Sequence, residues 1–461
     1  MIDTTDIEVE TREKVPPVST DESPSSPLSE LDEQSTSALE EDDLADYPHS
    51  FRLFFIVVAL ILSMFLASAN SSQIRGIAKD SITLIVGRAI TGCGAAGVIS
   101  GCYIIIAFTV PPKRRPAYTG IIGAVFACAS VAGPLLGGVF ADKLSWRWCF
   151  YINLPIGGAS LATIVIFFRS PTVVEPASTT LCEKFLQLDL IGTGVILAAL
   201  ICYLLDMQWG GASKAWNSSD VIGTLVGFVL LTALFICIEI WQDGTSAAES
   251  GIRNLPMIIG ALSAAPAEIY DTAIFAGLSG SFILAAGYFT PFLLLGSGLF
   301  TIGSGLTYTL GIGSSAAQYI GYQVILGIGQ GLCIQVPVIV CQAFSHPADI
   351  PTVTAIVLFF QMMGGAMAIS AAQCIFGNRL LAALVTYAPE VDAATVLTLG
   401  ASELRDHFSG AALSGVLESY MAGLKAAFAL GTGVAGMGVL ASFFAPIKSL
   451  KGKNGATNIA A

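Results

Sequence analysis

The chain has 461 residues, of which 54% are hydrophobic and 12% charged, and its mean hydropathy is +0.75. These values exclude an ordinary soluble protein and describe one that crosses a membrane several times. The net charge of −12 comes from residues 1–50, where 15 Asp or Glu face only Arg12 and Lys14. The rest of the chain is nearly neutral, so nucleic acid is not an expected partner.

Residues 1–50 are rich in Ser, Pro, Asp and Glu and hold too few bulky apolar side chains to offset the entropy of ordering. They read as a disordered acidic cytoplasmic tail. Asp3, Asp6, Glu8 and Glu10 stand where a secretory leader would be basic and then apolar. Apolar runs follow at 53–69, 82–108, 117–141, 149–168, 188–205, 221–241, 255–286, 289–311, 319–341, 353–376 and 424–444. Each approaches the roughly 20 apolar residues a helix needs to cross about 30 Å of hydrocarbon. The seventh is overlong and is interrupted by Pro266, Glu268 and Asp271, which makes it one broken helix or two short ones. The fold expected is therefore an all-α polytopic membrane protein of about 11–12 transmembrane helices. The ten Cys fall singly with no CxxC pair and read as small packing residues.

Basic residues stay on the cytoplasmic side. Counting forward from an inside N-terminus puts the cluster Lys113, Arg114, Arg115 inside and the sequons at Asn70 and Asn217 outside, where glycosylation is possible. Counting back from an inside C-terminus, marked by Lys448, Lys451 and Lys453, puts residue 251 outside, whereas the forward count puts it inside. The two counts conflict unless the seventh run crosses twice.

Gly92-Cys-Gly94-Ala-Ala-Gly97 spells a GxGxxG pattern, but the first acid after it is Asp142, too distant to hold a ribose. Close helix packing explains it better, and Gly87, Gly94 and Gly101 recur every seven residues on one helix face. Gly120-Ile-Ile-Gly123, followed by Gly133-Pro134-Leu-Leu-Gly137-Gly138, makes a helix that can bend at proline while packed closely on a partner. Arg88 in an apolar run must face a polar cavity or reach back to the surface near Asp80. Among the amides at 323, 330, 335, 342, 361 and 373, most are expected to bond between helices. Gln330 and Gln335 are the candidates for lining a substrate cavity. Trp209, Trp216 and Trp241 read as an interfacial belt. His49, His346 and His407 are scattered, and neither a metal site nor a catalytic constellation can be built from them. No cofactor is expected, and the chain does not read as an enzyme.

Together with Leu84-Ile-Val-Gly-Arg88-Ala-Ile-Thr-Gly92-Cys-Gly94, the Gly-Pro element, Lys113-Arg-Arg-Pro116-Ala-Tyr118-Thr-Gly120 and Trp146-Arg-Trp-Cys-Phe-Tyr-Ile-Asn153-Leu-Pro155 resemble the major facilitator superfamily, in particular the fourteen-helix fungal drug:proton antiporters. The similarity runs from 84 to 241 and from 250 to 376. It implies a proton-coupling motif B at Arg88, Gly92 and Gly94, and an export-associated motif C at Gly133, Pro134, Gly137 and Gly138. It also implies efflux of amphipathic small molecules, such as toxins, secondary metabolites or drugs, in exchange for protons, by a monomer in the plasma membrane or, alternatively, the vacuolar membrane. The organisation expected is a tail at 1–50, an N-terminal bundle at 51–206, a linker helix region at 207–252, a C-terminal bundle at 253–446 and a tail at 447–461. The N-terminal bundle is incomplete, since motif A and two helices are absent between residues 70 and 84, and a further helix is absent after Trp241. The alternative is a shortened, transport-inactive relative.

Overall fold

The computed structural model describes residues 50–69, 81–143, 152–168, 190–211, 213–243, 269–399 and 403–445. They form α1 (Ser50–Ala69), α2 (Ser81–Thr109), α3 (Arg115–Lys143), α4 (Asn153–Phe167), α5 (Leu190–Trp209), α6 (Ser219–Asp243) and α7 (Ile269–Ala286). The chain continues with α8 (Thr290–Tyr308), α9 (Ala316–Cys333), α10 (Val336–Phe344), α11 (Ile350–Tyr387), α12 (Ala393–Thr398), α13 (Leu404–His407) and α14 (Gly410–Phe443). Among the described residues there is no strand, and seven helical segments, with α9 and α10 taken as one, are long and apolar enough to cross a bilayer.

Each predicted apolar run contains a helix, but three differ in extent for physical reasons. The run at 319–341 is not one helix: it breaks at Ile334 and Gln335. Pro337 has no N–H to donate to the carbonyl of Cys333, so a new helix starts with proline in its first turn. Helices α11 and α14, of 38 and 34 residues, are longer than their apolar windows. At 1.5 Å per residue each spans roughly 50 Å or more, well beyond the hydrocarbon. The surplus is covered at one end by α12 and α13, where Leu380, Leu384, Val396, Leu404 and Val416 make a small apolar core. Helix α9 starts with a reciprocal cap: the Gln318 N–H donates to Ser315 Oγ at 3.3 Å and the Ser315 N–H to Gln318 Oε1 at 3.1 Å.

Point contacts fix the relative directions of several helix pairs. Helices α1 and α4 are antiparallel, with Arg52 donating to the Phe167 carbonyl at one end and Leu66 against Gly157 at the other. Helices α5 and α6 form a hairpin, with Thr224 on Asp206 and Gly227 against Cys202. That hairpin docks on α11 with α5 parallel to it, through Tyr203 to the Met367 carbonyl at 3.1 Å and Asn378 to the Gly210 carbonyl at 2.9 Å. Helices α8 and α9 are antiparallel at very short range, Gly296 facing Gly329 and Gly303 facing Leu326. Helix α7 lies against α3, where a Cβ on Gly280 would come within 2.0 Å of the Pro116 carbonyl oxygen.

These directions place residues 110–115, 287–289 and 345–349 on one face, called here the basic face after Lys113, Arg114 and Arg115. Val110 packs with Val338, Cys341 and Val357 there, and Phe289 with Phe344. Residues 210–218, 309–315 and 388–399 lie on the opposite face. Helix α6 ends at the basic face and α7 starts at the opposite one, so the chain changes sides between Asp243 and Ile269. The forward count thus holds as far as Asp243 and the backward count from Ile269 onward, and the conflict between them falls on residues 244–268, outside the described residues. Residue 251 itself lies outside the described residues.

Candidate functional site

The N-terminal helices meet the C-terminal ones near the basic face, at a buried polar cluster. Tyr103 on α2 donates from its hydroxyl to Gln335 Oε1 at 3.1 Å. Gln335 occupies the break between α9 and α10 and lies directly over Gly123 of α3, where a Cβ would be 2.1 Å from its Nε2. Gln342, two turns along α10, donates to the Tyr103 carbonyl at 3.3 Å and to Thr354 Oγ1 of α11 at 3.2 Å. Ile106, Val110, Ile122, Val338 and Val357 seal this cluster with apolar packing. Two of its neighbourhood's polar atoms, Gln342 Oε1 and Thr119 Oγ1, are buried with no hydrogen-bond partner. A contact held by few polar bonds and incompletely satisfied can exchange for another arrangement at modest cost.

Toward the opposite face the same helix α2 has no such cover. Ile85 and Ile90 are exposed, and at Gly87, Gly92, Gly94, Gly97 and Gly101 a Cβ would meet nothing within 4 Å. The close packing expected of that glycine stripe is not realised, because no described helix approaches it. Among the described residues, then, α2 and α3 meet the C-terminal helices near the basic face, α5 meets α11 nearer the opposite one, and around Gly87 to Gly97 a Cβ on α2 would meet nothing within 4 Å.

The residues singled out in the sequence are dispersed over this frame. Gln335 belongs to the contact between halves, and Gln330 is buried on α9. The helix break at Ile334 and Gln335 separates the two. Arg88 lies on the uncovered stretch of α2 with Gly92 and Gly94, but its side chain is outside the described residues. Gly133, which is buried, precedes Pro134, Gly137 and Gly138 within an α3 that continues unbroken through the proline. Asn217 is exposed in the turn between α5 and α6, and Asn70 lies outside the described residues. Trp216 packs its ring on Gly210 in that turn, and Lys214 stands 4.3 Å from the Trp209 ring centroid. Among the described residues no group of three or more His, Cys, Asp or Glu is placed to hold a metal.

One residue was missed. Asp206 is fully buried near the end of α5, with Thr224 Oγ1 donating to its Oδ1 at 3.4 Å. Beside it a cleft of about 690 Å³ is lined by Tyr203, Met207, Trp216, Cys374, Asn378 and Arg379, among others. The apolar run at 188–205 stops just short of this carboxylate, and the helix continues to Trp209. An acid flanked on both sides by helix-forming apolar residues was the available signal.

Residues 44–369 match the Major Facilitator Superfamily. The chain belongs to that superfamily. Three relatives align along most of their length. An MFS-type transporter, GME11371, of Pestalotiopsis microspora is 41% identical, over 87% of this chain and 80% of its own. The MFS-type transporter grgE of a Penicillium species is 38% identical, over 88% and 78%. The efflux pump aunC of Aspergillus niger is 37% identical, over 84% and 80%. As a major facilitator member, the protein is an integral membrane transporter of small molecules and not an enzyme. For such a transporter the bonds from Tyr103 to Gln335 and from Gln342 to the Tyr103 carbonyl are among the polar contacts between the halves at the basic face.

Proposed function

We propose that the protein exports amphipathic small molecules, of the toxin, secondary-metabolite or drug class, in exchange for protons. Alternating access then moves the halves against each other around a site between them. The observation that carries this reading is the closure at the basic face through Tyr103, Gln335 and Gly123, while among the described residues α2 is uncovered around Gly87 to Gly97: a contact of this kind is what one of the two states of such a cycle needs. The relative named as an efflux pump supports the direction of transport. In this reading Arg88, Gly92 and Gly94 serve proton coupling, and Pro134 with Gly133, Gly137 and Gly138 lets α3 flex. Gln330 and Gln335 flank the substrate's route. The protein works as a monomer in the plasma membrane, with the basic face cytoplasmic and the exposed Asn217 open to glycosylation.

The test uses full-length protein in lipid vesicles loaded with ethidium. An imposed pH gradient is expected to accelerate dye movement, and a protonophore to abolish the acceleration. Movement indifferent to the gradient would overturn antiport. No movement under any condition would favour the transport-inactive alternative.

A further inference from the structure

Asp206 is a buried acid that the closure at the basic face does not use. It is 0% exposed; its Oδ1 has only the long 3.4 Å bond from Thr224, and its Oδ2 has no hydrogen-bond partner. An ionised carboxylate closed from water and so poorly bonded carries a heavy desolvation penalty, whereas the neutral acid leaves only one hydroxyl unmet. The groups around it supply no compensating cation. From α5 there is the Tyr203 phenol, one turn away and bonded to the Met367 carbonyl. From α6 there is Thr224, with Asp220 a turn further on and already paired with Lys214. From α11 there is the Cys374 thiol, bonded to the Gly210 carbonyl, and Arg379 lines the cleft without an ion pair to Asp206.

We propose that Asp206 is a proton-binding site of this transporter, neutral while the α5–α6 hairpin is docked on α11 and ionised when the two part. The chemistry is one O–H bond. A hydrated proton in the cleft gives up its proton to Oδ2 as the site closes, leaving water and taking the side chain from −1 to neutral, and the proton returns to water as a hydrated proton when water reaches the carboxylate again. Docking rests on two bonds, Tyr203 to Met367 and Asn378 to Gly210. Trp216, packed on Gly210, is one of the residues that line the cleft. The site is thus placed on the α5–α6 hairpin, apart from the stretch of α2 that carries Arg88. Its role in transport rests on the antiport reading, but proton binding itself does not.

The experiment separates the two. Infrared difference spectra are recorded on the full-length protein in lipid between acidic and alkaline buffer, with aspartate isotope-labelled at the carboxyl carbon. The wild type is expected to show a label-sensitive carboxylic acid carbonyl band that persists at neutral pH. Asp206→Asn should lose the band, Asp206→Glu should show one that no longer responds to the label, and Thr224→Val should shift it. A neutral-pH band that survives unchanged in Asp206→Asn, or the lack of any such band in the wild type, overturns the proposal. In ethidium-loaded vesicles the ratio of rates with and without a pH gradient should fall to one in Asp206→Asn and stay above one in Asp206→Glu. A ratio unchanged in Asp206→Asn would overturn the coupling role. If the wild type moves no ethidium, the export reading fails while the spectra still decide proton binding.

Discussion

Two glycine-rich stretches of similar composition have opposite fates here. On α8 and α9, Gly296, Gly303 and Gly329 let two helices touch backbone to backbone, and a Cβ on Gly329 would lie 2.2 Å from the Phe300 nitrogen. On α2, Gly87, Gly94 and Gly101 recur as regularly, and among the described residues a Cβ on any of them would meet nothing within 4 Å. A stripe of small residues measures how closely a partner could approach, and the partner must come from elsewhere in the fold.

The largest expected effect that would break this contrast is at Gly329. Gly329→Val drives two methyl groups into the rigid backbone of α8 and should destabilise by about 3 kcal/mol. The thermal midpoint of the detergent-solubilised protein on size exclusion would fall sharply, and an unchanged midpoint would show that the two helices are not in contact. Gly123→Val is milder, because it meets the movable amide of Gln335 rather than backbone. We expect a loss of roughly 1–2 kcal/mol and a looser closure at the basic face. Mass-spectrometric footprinting with a maleimide should then find Cys102 and Cys341, both buried at that contact, more reactive. Tyr103→Phe removes one hydrogen bond and leaves the packing, so about 1 kcal/mol or less is expected in the same thermal assay. The smallest change belongs to the open stripe. Gly94→Ala and Gly97→Ala should be neutral or stabilising by up to about 1 kcal/mol, since alanine favours helix and no neighbour is displaced. A marked loss there would reveal a helix or second chain packed on that face.

Parts of the site were legible before the fold was known. Gln335 stood out because an amide in an apolar run needs a partner, and it found Tyr103 and the hollow over Gly123. What was hidden is equally specific. Asp206 looked like the end of a span because its charge cut the apolar window, although burial among α5, α6 and α11 makes it an interior residue. The break at Ile334 and Gln335 follows from Pro337, yet proline can also continue a helix, as Pro134 does in α3.

The chain by itself determined its class and the positions of its crossings. A backbone in lipid must satisfy its own hydrogen bonds, and only long apolar helices do so, whatever surrounds them. Only the tertiary structure decided which way the second half runs, which glycines are pressed against a neighbour, and that Tyr103, Gly123, Gln335 and Gln342 meet at one point. Those are properties of pairs of helices far apart in sequence, and hydrophobic periodicity carries no information about which face of one helix will find which face of another.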